Sequence, residues 1–162
     1  MDKLWAPWRV EYIRHPGPGC FLCAAVRHKD PGAVLVIEKG RSALSIMNRY
    51  PYNNGHVMVA PLRHIGVVEQ LDDEEIIEIN RLQVRLVTAL RQALKPQGFN
   101  IGVNQGVVAG AGVADHIHYH IVPRWTGDTN FMPILAETKV ISEAVLGTYR
   151  QIQAELRRID NP

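Results

Sequence analysis

Three histidines alternate with apolar residues in Asp115-His116-Ile117-His118-Tyr119-His120-Ile121-Val122-Pro123. On a strand, alternate side chains share a face. The spacing therefore predicts all three imidazoles on one face, with Ile117, Tyr119 and Ile121 turned to the core. The chain has 7 histidines among 162 residues, so composition alone does not produce three at strict period two. A rise of about 3.3 Å per residue separates neighbouring imidazoles by about 6.6 Å and the outer pair by about 13 Å. Adjacent rings can converge on one metal, which with a further carboxylate or histidine would make a hydrolytic centre. They can also work on phosphate. A neutral imidazole is a nucleophile near pH 7, and protonated neighbours donate to phosphate oxygens.

The second chemical feature is Cys20-Phe21-Leu22-Cys23, which holds both cysteines of the chain. The N-terminus opens on charges, Met1-Asp2-Lys3, without a signal-type apolar stretch, and this predicts a cytoplasmic protein. A structural disulfide is out of place in a reducing compartment. A thioredoxin-like redox pair wants a strand before it, and His15-Pro16-Gly17-Pro18-Gly19 is a loop. Two thiolates fill half of a tetrahedral zinc site, so ligation would need two more ligands from elsewhere. Two small buried apolar side chains are an equal reading of the pair taken alone.

The elements that must position these residues follow from pattern. The length suits a single domain spanning residues 1–162. Apolar residues at 46% and charged residues at 21% exclude disorder as the overall state. A net charge of +2 and a pI near 8.6 leave no polybasic footprint, so nucleic acid is not an expected partner. No apolar run approaches the roughly 20 residues of a membrane span, so no membrane partner is expected either. Residues 1–19 read as an irregular extension, with a short helix over Phe21–His28 stopped by Pro31-Gly32. Strands are predicted over Ala33–Glu38, Ala43–Met47, His56–Ala60, Phe99–Asn104 and His116–Val122. Asn54-Gly55 punctuates the turn before the third.

Between them a long helix opens at Asp72, with Glu75 placed to complete a capping box and Leu71 and Ile76 placed as a hydrophobic staple. Ile76, Ile79, Leu82, Leu86, Leu90 and Ala93 repeat at helical spacing. Lys95-Pro96-Gln97-Gly98 ends it. Val145, Tyr149, Ile152, Leu156 and Ile159 mark a C-terminal helix over 141–160. The fold class is α+β, a mostly antiparallel sheet of five to six strands with helices to one side.

His116-Ile117-His118-Tyr119-His120-Ile121-Val122 resembles the signature of the histidine triad (HIT) family of nucleotide hydrolases and transferases. Asn48-Arg49-Tyr50-Pro51, and the stretch from Gly55-His56 to Leu62-Arg63-His64, resemble that family's nucleoside-binding strand and turn. Asn104-Gln105-Gly106 and the glycine-rich loop after it sit where the family has its phosphate-facing segment. Leu4-Trp5-Ala6-Pro7-Trp8-Arg9 and Pro123-Arg124-Trp125-Thr126-Gly127-Asp128-Thr129-Asn130-Phe131-Met132-Pro133 look like the branch with diadenosine tetraphosphate phosphorylases.

The resemblance implies a HIT-like fold and a mechanism. His118 would attack the α-phosphorus and carry a nucleotidyl intermediate, with His120 and the backbone around Gly110, Gly112 and Val113 holding phosphate oxygens. Asn104 would contact the bridging or leaving oxygen. Asn48 would bind the ribose hydroxyls; as a residue type it is also a turn initiator before Tyr50-Pro51. His56 reads as structural. The resemblance completes the cysteine pair with His64 and His116, a Cys₂His₂ set for one structural Zn²⁺, and implies a homodimer sharing a continuous sheet. In one place the sequence departs from the family. Gly110-Ala111-Gly112-Val113-Ala114-Asp115 lacks the Ser or Thr that many members carry before the first triad histidine.

The expected activity is cleavage of nucleotide phosphoanhydrides, in its specific form phosphorolysis of diadenosine tetraphosphate. Hydrolysis of dinucleoside polyphosphates or adenosine phosphoramidates is the sibling reading. A metal-dependent hydrolase built on the histidine row, and a nucleotide-binding signalling protein, are the readings from other classes.

Overall fold

Two strands buried along their whole length organise the sheet. In the computed structural model, which describes residues 19–128 and 144–161, β2 (Ala43–Met47) and β3 (Val57–Pro61) are covered on both faces. Their near-continuous apolar sequence is what double coverage requires. They pair antiparallel from Ala43 opposite Pro61 to Met47 opposite Val57. With β1 (Val36–Lys39), β4 (Gly98–Val103) and β5 (Tyr119–Arg124) they form a five-stranded sheet in the order β1-β2-β3-β5-β4, every pairing antiparallel.

One face carries Ala43, Met47, Val57, Val59 and Ile121 against α2 (Asp73–Leu94) and α3 (Val145–Asp160). Ile79, Leu82, Leu86, Ala89 and Leu90 of α2, with Ile152 and Leu156 of α3, complete this core. Each buried Val, Leu, Ile or Met among them stabilises the fold by roughly 1.5–3 kcal/mol. The other face carries Val36, Leu44, Ile46, Met58 and Ala60, and α1 (Phe21–Arg27) packs Leu22 and Ala25 onto it. His120 lies on this second face, since it pairs with Met58.

The α2 terminus is built as its sequence predicts. Asp72 Oδ1 accepts from the Glu75 N–H at 2.9 Å, and Glu75 Oε2 accepts from the Asp72 N–H at 3.1 Å. Glu75 does a second job. It is 2% exposed and receives Arg63 through Nε at 2.7 Å and Nη2 at 2.6 Å. The Arg63 contact holds the Glu75 carboxyl below its ordinary range against the burial that pushes it up. This pair pins the segment after β3, which in turn positions the site.

Several elements depart from expectation. The predicted strand over Ala33–Glu38 begins only at Val36. Gly32–Val34 is a turn of 3₁₀ helix, closed by Leu35 at φ 62°. Asp30 Oδ1 accepts from the N–H groups of Gly32 and Ala33 and so favours the turn over the ladder. Ile76 is 43% exposed and lies off the buried stripe of α2. The C-terminal helix starts at Val145, not 141, because Ala144 is extended at ψ 137°. The strand predicted from His116 starts at Tyr119 and runs on through Pro123. Proline is tolerated there because β3 pairs with β5 only as far as Ile121. The Pro123 carbonyl turns instead to the side chain of Asn53, at 3.1 Å. The segments Leu4–Arg9 and Thr129–Pro133 lie outside the described residues, as do 1–18 of the expected extension.

Candidate active site and metal centre

The histidine row is divided by its backbone. Residues 116–118 do not join the ladder, because the Ile117 N–H donates to the carbonyl of Ile65 at 2.6 Å. The close approach depends on Gly66, where an added Cβ would stand 2.8 Å from the carbonyl oxygen of Ala114. The segment pinned by Arg63 therefore docks against the segment that carries His116. His116 leaves the shared face as a result, while His118 and His120 stay together with ring centroids 4.9 Å apart.

His116 is fully buried and both its ring nitrogens are engaged. Nε2 donates to the carbonyl oxygen of Pro61 at 2.9 Å, which leaves Nδ1 bare. Around Nδ1 stand Cys20 Sγ at 3.2 Å, His64 Nδ1 at 3.3 Å and Cys23 Sγ at 3.5 Å. The four ligand atoms all lie within 4.8 Å of one another. Burial lowers the His116 pKa from its ordinary 6.5, with His64 and His118 adding to the fall and the Pro61 bond opposing it. Burial and Cys20 together push the Cys23 thiol up, against Arg27. Two sulfurs and two imidazoles, one fixed with a bare nitrogen facing the cluster, fit a four-coordinate zinc. Among the described residues this is the group of metal-ligating side chains that converges, and it holds neither His118 nor His120.

The carbonyl of His116 does separate work. It lies 2.8 Å from Nδ1 of His118. A carbonyl only accepts, so Nδ1 carries the proton and donates, and Nε2 of the neutral ring keeps its lone pair. His118, 4% exposed, lines a cavity of about 400 Å³. Asn48, His118 and His120 supply polar groups to the cavity, and Gly112 and Val113 close one side of it. Phe21, Ala24 and Ala25 of α1, with Val34, Ile46 and Met58, supply the apolar part of the lining. Asn104 and Gly110, also expected at the site, are not among the residues that line the cavity. They neighbour each other, with a Cβ on Gly110 at 4.0 Å from Asn104 Nδ2.

Two features were not legible as site components. The α1 wall comes from residues interleaved with Cys20 and Cys23, so one short helix serves the metal cluster and the cavity together. His56, read as structural, lies fully buried with Nε2 at 2.9 Å from Nδ1 of His120. The alternation of His56 with Met58, on the face that β3 turns toward His120, was the available signal.

Comparisons with known proteins agree with this geometry. The family model of the HIT domain matches residues 28–127. A protein of Mycobacterium tuberculosis (strain ATCC 25618 / H37Rv), named AP-4-A phosphorylase, is 33% identical over 98% of this chain and 86% of its own length. An adenosine 5′-monophosphoramidase of Schizosaccharomyces pombe is 30% identical over 65% of this chain and 74% of its own. Among solved structures, a Zn-bound histidine triad family protein from Mycobacterium smegmatis superimposes with a TM-score of 0.71 at 26% identity. That match covers 88% of this chain and 96% of the other.

Proposed function

The chain belongs to the HIT-domain family, and on that premise we propose that it transfers a nucleotidyl group from a nucleotide phosphoanhydride through His118. Diadenosine tetraphosphate is the substrate and phosphate the acceptor. The observation that carries this reading is the 2.8 Å approach of His118 Nδ1 to the His116 carbonyl beside an apolar cavity. Nε2 of His118 attacks the α-phosphorus, and the bond to the bridging oxygen breaks. ATP leaves with the electron pair. An oxygen of phosphate then attacks the same phosphorus, the P–N bond breaks, and ADP is released. Dividing the displacement in this way lowers each barrier. His120 and the backbone at Gly110, Gly112 and Val113 stabilise the equatorial oxygens, Asn104 meets the leaving oxygen, and Asn48 holds the ribose.

The leaving group favours a phosphoanhydride over a phosphoramidate. An amine must take up a proton as it departs, whereas a polyphosphate leaves readily as an anion. Loop 110–115 has no hydroxyl, and both nitrogens of His116 are already engaged. Cys20, Cys23, His64 and His116 hold one Zn²⁺, which fixes α1 and hence the base-binding wall. A second copy of the chain adds to the outer edge of β4. That edge has no strand partner among the described residues, and Ile101 on it is 50% exposed.

Product analysis tests the reading. With diadenosine tetraphosphate, phosphate should yield ADP and ATP in equal amounts. AMP and ATP at unchanged rate with or without phosphate would make the enzyme a hydrolase instead.

A further inference from the structure

A chain of hydrogen bonds leads through His56 to His120. The Tyr52 N–H points at Nδ1 of His56 from 3.0 Å. Asn48 Nδ2 stands 3.3 Å from the same nitrogen, and Asn48 Oδ1 is already accepting from the Tyr50 N–H at 2.9 Å, so the amide offers its NH₂. A backbone N–H cannot reverse its role. Nδ1 of His56 is therefore an acceptor, and the proton of its neutral ring sits on Nε2. That nitrogen faces Nδ1 of His120 at 2.9 Å and donates to it. His120 must then carry its own proton on Nε2. Tyr52 stacks on the His56 ring with centroids 4.6 Å apart and planes 26° apart, and His56 is fully buried, so the ring cannot turn over.

We propose that His56 is a positioning residue for nucleotidyl transfer: it transmits the Tyr52 N–H and Asn48 contacts into a fixed Nε2–H tautomer of His120, which points a donor at the substrate phosphate. The two cavity histidines then hold opposite tautomeric roles. His118 has its proton on Nδ1 and none on Nε2, while His120 accepts on Nδ1 and has its proton on Nε2. A nucleophile and a donor thus stand side by side in neutral rings, and neither depends on a protonated imidazole. Asn48 joins the ribose position to the phosphate donor through the same chain of bonds. The catalytic part of the inference rests on the function proposed above, whereas the tautomer does not.

The test uses ¹⁵N-labelled full-length protein at pH 8.5, where an imidazole of ordinary pKa is neutral. Long-range ¹H–¹⁵N correlation reads which nitrogen carries the proton, with the His120 signals identified by their loss in His120→Gln. The wild-type ring should show protonated Nε2 and bare Nδ1. His56→Gln keeps a side-chain N–H donor and should keep this pattern, with kcat within a few-fold of wild type. His56→Phe should mix the two tautomers and lower kcat about 10- to 100-fold, with KM little changed. A wild-type His120 protonated on Nδ1 overturns the proposal without any variant or substrate. So does a His56→Phe protein in which only one of the two readouts moves, or neither. Absence of turnover in the wild type with an Nε2–H His120 would instead count against the proposed function alone.

Discussion

His116 and His118 meet through backbone, not through their rings: the carbonyl oxygen of one lies 2.8 Å from Nδ1 of the other. The ring of His116 is meanwhile committed to Cys20, Cys23 and His64. The residue that would anchor the metal thus also orients the ring of His118, the proposed nucleophile. Removing its side chain should act through the metal cluster and fold stability, while removing the ring of His118 should act on chemistry.

Metal loading is the first consequence. Protein purified without chelator should contain one zinc per chain by elemental analysis. Cys23→Ser should lose it and melt several degrees lower, because binding at a site absent from the unfolded chain adds to folding free energy. Since Phe21, Ala24 and Ala25 wall the cavity, the variant should also bind AMP more weakly in calorimetry. A metal-free wild type, or normal melting of the variant, would count against the cluster as a zinc site.

Gly66→Ala probes the docking that divides the histidine row. Its Cβ would meet the Ala114 carbonyl at 2.8 Å and Asp115 Cα at 3.2 Å. Overpacking of this kind costs about 1–3 kcal/mol, and the displaced segment carries both Val113 and His116. A lower melting temperature with a raised KM is expected. Unchanged values for both would show that the segment yields freely.

Much of this site was visible in residue spacing, and what was not depended on neighbours far away in the chain. The Asp72–Glu75 capping box needs only residues within one turn, and it formed as read. The four side chains Cys20, Cys23, His64 and His116 do converge, a set that the family resemblance and not the spacing had assembled. Strict alternation wrongly kept His116 in the strand, because period two cannot register the Ile117 bond to Ile65. Leu35 at φ 62° was hidden for a similar reason: a β-rich run gives no sign of a left-handed residue inside it. Helical spacing placed Ile76 inside, yet it is 43% exposed. The role of His56 depends on the direction of a single backbone N–H, which no residue type reports.

Acid should reveal Glu78, whose carboxylate links α2 to the β1–β2 turn. It accepts from the N–H of Arg41 at 3.0 Å and of Ala43 at 2.8 Å, from the Ser42 N–H, and from Ser42 Oγ at 2.7 Å. Burial pushes its pKa up, but the donors outweigh burial and hold it at about 2, below the ordinary 4.5. A carboxyl with a lowered folded pKa stabilises fully above its unfolded value, and that contribution is lost as pH falls through the folded one. Glu78→Gln should therefore be less stable than wild type at pH 7 by about 1–2 kcal/mol. The gap should narrow between pH 4.5 and about 2. A gap independent of pH in urea denaturation would assign the loss to packing.

The assembly prediction is equally direct. Sedimentation equilibrium at micromolar concentration should return twice the 18.2 kDa chain mass. Ile101→Glu, on the outer strand β4, should shift it toward monomer. A monomeric wild type would remove the second copy from the account.

The central claim is that His118 carries the nucleotidyl group. Its most direct test is rapid quenching of the wild-type protein during turnover of diadenosine tetraphosphate labelled at the α-phosphorus, followed by mapping of the acid-labile adduct. The label should sit on His118 alone, and it should be absent from His118→Ala, which should still bind AMP because Asn48 and the apolar wall do not use that imidazole. His120→Ala should form the adduct about 10²–10³ times more slowly. Label on His116 or His120, or undiminished turnover by His118→Ala, would contradict the account.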